Sequence, residues 1–353
     1  MHTHFSPVRN QRGFSLVELM VGVAIGLIAM LVVFQTLATW DARRRSTTAG
    51  SDAQVAGTVG LFSLERDLRI GGWGFGTNPN GAGGCISVSV GGFASPPFHL
   101  VPVEIVTVAG EQSATGIRVL YGNSALLADA QPFVNSTAVS KKTLSNTGFQ
   151  IGDRVVTADG AVADSCDMVN VTGLLSPDDG VSFAHTAGAG AVQSGNLFDL
   201  GPKPVYNLWY VKAGGVLASK DLWNPVTVTE VTDGIVDLKA QYGIDADGNS
   251  AIGANEWTAS APGDWTKVLA IRVAILARSQ RFEKPDATNG CQATTALPTW
   301  SGSLAAPFAP FVMTDVDGTA PSQTNDANDW RCYRYRVYEK VIPLRNAIWG
   351  TTS

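Results

Sequence analysis

The chain is poor in the residues that most enzymes rely on. Four histidines occur in 353 residues, and beyond residue 13 they reduce to His99 and His185. A histidine-rich zinc cluster or a Ser-His-Asp triad is therefore poorly supplied. Charged residues make up 16% of the chain and the formal net charge is −5. The first thirteen residues carry Arg9 and Arg12 and no acid, which leaves the remainder at −7. A surface of that sign excludes nucleic acid as a partner. No two cysteines stand as CxxC. Cys85, Cys166, Cys291 and Cys332 are widely spaced, which means two disulfides outside the cytoplasm or four buried thiols inside it. Fixed-period repeats are missing too, so solenoids and propellers are excluded.

The longest absence is of charge itself. Leu19 to Trp40 is a run of 22 residues without a formal charge, with only Gln35, Thr36 and Thr39 notably polar. As a helix it would span about 33 Å, enough to cross a bilayer. No small-residue cleavage site follows it; Trp40-Asp41-Ala42-Arg43-Arg44-Arg45 comes instead, so the segment is expected to stay attached. Arginines flank both ends, and charge alone leaves the orientation open. Gly22 and Gly26 form a GxxxG that would allow close helix approach.

Glu18 sits at the head of this apolar run, inside Gly13-Phe14-Ser15-Leu16-Val17-Glu18-Leu19. That heptapeptide, behind a basic leader, resembles the class III leader junction of type IV pilins and type II secretion pseudopilins. The resemblance implies cleavage by a prepilin peptidase between Gly13 and Phe14, N-methylation of Phe14, and retention of the helix in the inner membrane with the head in the periplasm. Glu18 would then be the fifth residue of the mature chain. Its carboxylate could neutralise the Phe14 ammonium of a neighbouring subunit in a filament and set the register, because an unpaired charge in an apolar bundle is penalised.

From Thr47 to Ile70 the apolar residues Val55, Val59 and Phe62, with Leu61, Leu64 and Leu68, recur at helical spacing. Gly71-Gly72 ends the pattern, so one helix is expected from Phe14 to about Ile70, weakened locally at Gly50, Gly57 and Gly60. Beyond it lie short strands. Candidates are 101–108, 117–121, 154–157, 168–172, 205–211, a half-exposed strand at 236–242, an apolar mid-sheet strand at 267–276 and a last strand near 333–338. The loop 71–84 is glycine-rich but has no Lys-Ser/Thr after it, which argues against a phosphate cradle.

"LERDLRIGGW", "YGIDADGN", "VLAIRVAILARS" and "YRYRVYEKVIPLRN" are together similar, in order and position, to PilW-type minor pilins. This implies an α+β protein in three parts: leader 1–13, membrane-anchored helix 14–70 and a β-rich, disulfide-containing periplasmic head 71–353. The implied role is priming of type IV pilus assembly, with a place in the tip complex. A minor pseudopilin capping a type II secretion pseudopilus is the nearest alternative, and a membrane-tethered periplasmic enzyme a distant one. Implied partners are prepilin peptidase, other minor pilins and the major pilin, the inner-membrane assembly platform, a large tip adhesin and membrane lipid. In the periplasm the expected disulfides are Cys85–Cys166, which joins family-like segments, and Cys291–Cys332, which brackets a less similar stretch.

One motif stands apart. Asp245, Asp247, Asn249 and Glu256 place oxygen ligands at positions 1, 3, 5 and 12 of an EF-hand-like loop, although glycine falls at position 4 rather than 6. Calcium is the only cofactor this chain suggests. Arg331, Arg334, Arg336, Lys340 and Arg345 make the terminal strand basic, as expected of a solvated sheet face.

Overall fold

The structure is a computed structural model. It describes residues 13, 15–76, 88–90, 99–124, 130–134, 137, 139–158, 166–175, 182–186, 194–286, 288–304 and 310–351. The chain divides into two compact units, Met1–Thr48 and Ala49–Ser353. The first helix, α1, runs Leu16–Ile70, so its outer part belongs to the second unit.

In the first unit every described residue from Leu16 to Trp40 is exposed, Leu16 at 76% and Phe34 at 58%. Leu16–Asp41 is long and apolar enough to cross a membrane. Its two threonine hydroxyls are satisfied within the helix: Thr36 donates to the Val32 carbonyl at 2.7 Å, and Thr39 to the Thr36 carbonyl at 2.8 Å. Hydroxyls that bond back to the helix remove much of the cost of placing them in hydrocarbon.

In the second unit α1 buries a stripe of small and branched residues, Ala53, Ala56, Gly57, Gly60, Leu64 and Leu68. This corrects the expected face: Val55, Val59 and Phe62 are exposed, Phe62 at 68%. Close approach is the reason. A Cβ at Gly57 would lie 2.1 Å from the Tyr338 ring, and one at Gly60 would lie 3.1 Å from Leu217. Helix and sheets meet where side chains are smallest, so the two glycines are contact surfaces as well as weak points in the helix. Gly71 N–H closes the last turn on the Asp67 carbonyl at 3.1 Å, and Gly72 follows in the left-handed region at φ +85.

Three sheets build the rest. The first contains β1 (Val88–Val90), β4 (Gln131–Val134), β5 (Ser140–Thr143), β6 (Arg154–Ala158), β7 (Cys166–Leu174), β8 (Ser182–His185) and β9 (Gly195–Gly201), in the order β1-β7-β6-β9-β4-β5-β8. A further β7–β8 pairing closes it on itself. Closure removes most of the open edge that a seven-stranded sheet would expose. The second sheet has the order β12-β11-β10-β3-β2, built from β2 (Val103–Thr107), β3 (Thr115–Tyr121), β10 (Val205–Lys212), β11 (Val216–Asp221) and β12 (Val228–Asp233). The third runs β14-β13-β15-β16, from β13 (Ile235–Ile244), β14 (Trp257–Thr258), β15 (Val268–Arg278) and β16 (Tyr335–Pro343). A short helix, α2 (Arg345–Thr351), ends the described chain.

Each expected strand has a counterpart, and β15 lies mid-sheet as its unbroken apolar run predicts. The half-exposed reading of β13 is corrected. Leu238, Ala240 and Tyr242 face the main core with α1, while Asp237 and Gln241 on the other face are 4% and 0% exposed. Both faces are covered. On the far side of this sheet, Trp300, Phe311, Met313 and Trp330 pack over Ala274 and Leu276. The stretch between Cys291 and Cys332 therefore acts as a second cover.

Candidate functional site

At the N-terminus, Phe14 lies outside the described residues, and Gly13 and Ser15 are exposed. Helical bonding begins at once, with Leu19 N–H donating to the Ser15 carbonyl at 3.1 Å. Glu18 is the acid of the first helical turn and is exposed. There the unsatisfied N–H groups and the helix dipole favour a carboxylate, which offsets part of its cost in an apolar run. Gly22 and Gly26 have open space where a Cβ would stand, leaving a flat strip for another helix.

The acidic loop between β13 and β14 draws together three of its four expected residues. One carboxylate oxygen from each of Asp245, Asp247 and Glu256 lies within 4.8 Å of the others. Asn249 is engaged otherwise: its amide nitrogen donates to Asp247 at 2.8 Å and its side-chain oxygen accepts from Ala251 N–H at 2.7 Å. Backbone N–H groups hold the carboxylates in place. Asp245 accepts from Asn249 and Ser250, and Glu256 from Gly253 and Ala246. Those two bonds to Glu256 hold its carboxyl below the usual range, Gly253 contributing most. Chemically the loop offers hard oxygen donors in a fixed cluster, which suits Ca²⁺ better than a soft metal.

Cys291 and Cys332 form a disulfide, with Cα atoms 4.7 Å apart. Cys166 is also disulfide-bonded, whereas Cys85 lies outside the described residues. The described part of segment 291–332 has little regular structure and is organised around buried carboxylates instead. Asp329, fully buried, accepts from Asn325 and Arg331 N–H and from the Arg331 guanidinium at 2.7 Å. Asp315 accepts from Ser322 N–H at 2.8 Å and from Trp330 N–H. The basic residues at the end of the chain are largely spent on ion pairs: Arg331 with Asp329, Arg334 with Glu283, and Lys340 with Glu65 on α1. The two described histidines have ordinary partners, His99 with Glu104 at 2.9 Å and His185 with the Thr186 carbonyl at 2.6 Å.

Residues 8–34 match the prokaryotic N-terminal methylation motif, and residues 219–346 match the family described as Type IV Pilus-assembly protein W. Together they support a PilW-type pilin. Neither a curated protein nor a solved structure matches the chain significantly. The first match spans Gly13, Phe14 and Glu18. The second spans β12 through β16, the acidic loop and the Cys291–Cys332 disulfide. Matches of this kind suggest a structural protein with a prepilin-peptidase-processed leader, which works with other pilus components.

Two residues of the second unit escaped sequence reasoning. Asp67, inside LERDL, is 4% exposed and accepts from Trp209 Nε1 at 2.9 Å, Asn207 Nδ2 at 3.1 Å and the Tyr121 hydroxyl at 3.4 Å. It ties α1 to β3 and β10. Burial and the Asp67 charge push the Tyr121 hydroxyl up to about 12, so it stays a donor. Asn346, where the second match ends, donates to the carbonyls of Ile70 and Gly71 at 3.0 and 3.1 Å. It caps the C-terminus of α1 from the far end of the chain. For Asp67 the available signal was an acid three residues after Leu64 and next to Leu68, on the helix face those leucines bury; Asn346 gave none.

Proposed function

We propose that this chain is a minor pilin that primes type IV pilus assembly and resides in the tip complex of the fibre. The supporting observation is that the methylation motif and the PilW match occur on one chain, with the apolar first part of α1, Leu16 to Trp40, exposed throughout behind the leader junction. On this reading prepilin peptidase cuts between Gly13 and Phe14. The helix waits in the inner membrane, and the assembly platform moves it into a bundle of other pilins. Glu18 then meets the terminal ammonium of a neighbour and fixes axial register. The head is far larger than a lattice subunit needs, which favours a scarce terminal position next to a large adhesin. Its work is assembly rather than turnover.

Glu18→Ala tests this. Removing the charge favours insertion, so the variant is expected to accumulate in the membrane at the normal level while surface pili fall at least about tenfold, the equivalent of one lost pair of roughly 1.4 kcal/mol. Normal piliation would overturn the reading, and lost secretion with intact pili would favour the pseudopilin alternative. For the acidic loop the proposed ligand is calcium, held by Asp245, Asp247 and Glu256. Millimolar CaCl2 is expected to raise the melting temperature of the wild type but not of Asp247→Asn, and equal responses would dismiss the ion.

A further inference from the structure

A cleft of about 620 Å³ opens in the head between the outer part of α1 and the sheet containing β10, β11 and β12. Its size is that of small-ligand sites in general. The charge inside runs against that of the chain: Arg66, Arg154 and Lys203 line it together with Asp67 and Asp221, in a protein of net charge −5. Arg66 and Lys203 are exposed at the rim. The Arg154 guanidinium lies 4.5 Å from the centre of the Trp223 ring, which fixes both groups as one wall. Phe62 is on the rim and 68% exposed, and hydroxyls of Ser219, Thr227 and Thr229 complete the surface.

The two carboxylates decide what kind of ligand fits. A bare anion such as phosphate would meet three cations but also two negative charges. A ligand with one carboxylate and several hydroxyls satisfies both sets. Its carboxylate faces the cations, and its hydroxyls donate to Asp67 and Asp221. The Asp67 carboxylate has room for this: Oδ2 takes the bonds from Trp209 and Asn207, while Oδ1 accepts only the long 3.4 Å bond from Tyr121. An exposed phenyl ring at the rim suits the apolar face of a pyranose. Continuous main-chain donors and acceptors, which an extended peptide would need, are turned into the sheet ladders at β10 and β11. We infer that this cleft is a binding site for a carboxylated saccharide of the uronic or sialic acid type. The inference is independent of the role in pilus priming.

The test is calorimetric titration of the full chain in detergent micelles with trigalacturonic acid and with sialyllactose. Trigalacturonic acid methyl ester and inorganic phosphate serve as comparisons. At least one acidic sugar is expected to bind with a Kd at or below about 1 mM, with the ester about tenfold weaker. Arg66→Gln and Lys203→Gln, both at exposed positions, should each weaken it about five- to tenfold while leaving the melting temperature unchanged. No saturable binding of either sugar up to about 10 mM would overturn the assignment. So would binding that ignores both substitutions, equal binding of the ester, competition by phosphate at equal concentration, or tighter binding of tetraglutamate than of either sugar.

Discussion

Replacing Asp67 with alanine should loosen the packing of the outer part of α1 on the sheets. The carboxylate accepts two short bonds, from Trp209 Nε1 at 2.9 Å and Asn207 Nδ2 at 3.1 Å. Trp209 is 4% exposed, so its indole N–H would lose its acceptor, with water able to reach it only from the cleft. A hydrogen bond to a charged group contributes about 1.5–3 kcal/mol. Asn207 opens on the cleft, where water can replace the carboxylate, so its share belongs at the low end. The sum is a loss of about 3–4 kcal/mol. Urea unfolding of the full chain in detergent, followed through its nine tryptophans, measures it. Trp209→Phe removes the donor with the acceptor in place, and the double variant should recover about 1–2 kcal/mol relative to the sum of the single changes. Strict additivity, or a loss below about 0.5 kcal/mol for Asp67→Ala, would show that Asp67 does not hold α1 to the sheets.

Three further outcomes follow from the same structure. Cys291 and Cys332 are separated by 41 residues, so replacing both with serine should cost about 4 kcal/mol in the chain-entropy view, and reduction of the wild type, which also opens the bridge at Cys166, should lower the urea midpoint at least as far. Asn346→Ala removes two bonds to the last carbonyls of α1; a loss of about 1–2 kcal/mol, with faster amide exchange near Gly71, is expected. Burial raises Asp199 to about 6, against hydrogen bonds from Ser124 and Gly201 and with help from Asp153. The folded chain thus holds this proton to higher pH than the unfolded one. The stability it contributes is present below about pH 4 and lost as pH rises through 6, up to about 3 kcal/mol. Asp199→Asn should remove that slope, and parallel pH profiles for variant and wild type would refute the assignment.

Much of this protein was readable from local pattern. The uncharged run from Leu19 to Trp40, the stop at Gly71-Gly72 and the apolar strand β15 are all determined by residues close in sequence or by composition; the pair Cys291 and Cys332 was favoured only through the resemblance, since four cysteines permit three pairings. Tertiary structure decided the remainder, for two physical reasons. Periodicity marks the buried face of a helix only when large residues do the burying. On α1 the sheets come so near that Ala53, Ala56, Gly57 and Gly60 form the contact, so the larger apolar residues Val55, Val59 and Phe62 point outward. The second reason is distance along the chain. Asp67 meets Trp209 across 142 residues, and Asn346 meets Ile70 across 276. A polar side chain carries no mark of the partner it will find, so the lock on α1, its cap and the charged cleft beside it exist only once the sheets have been assembled.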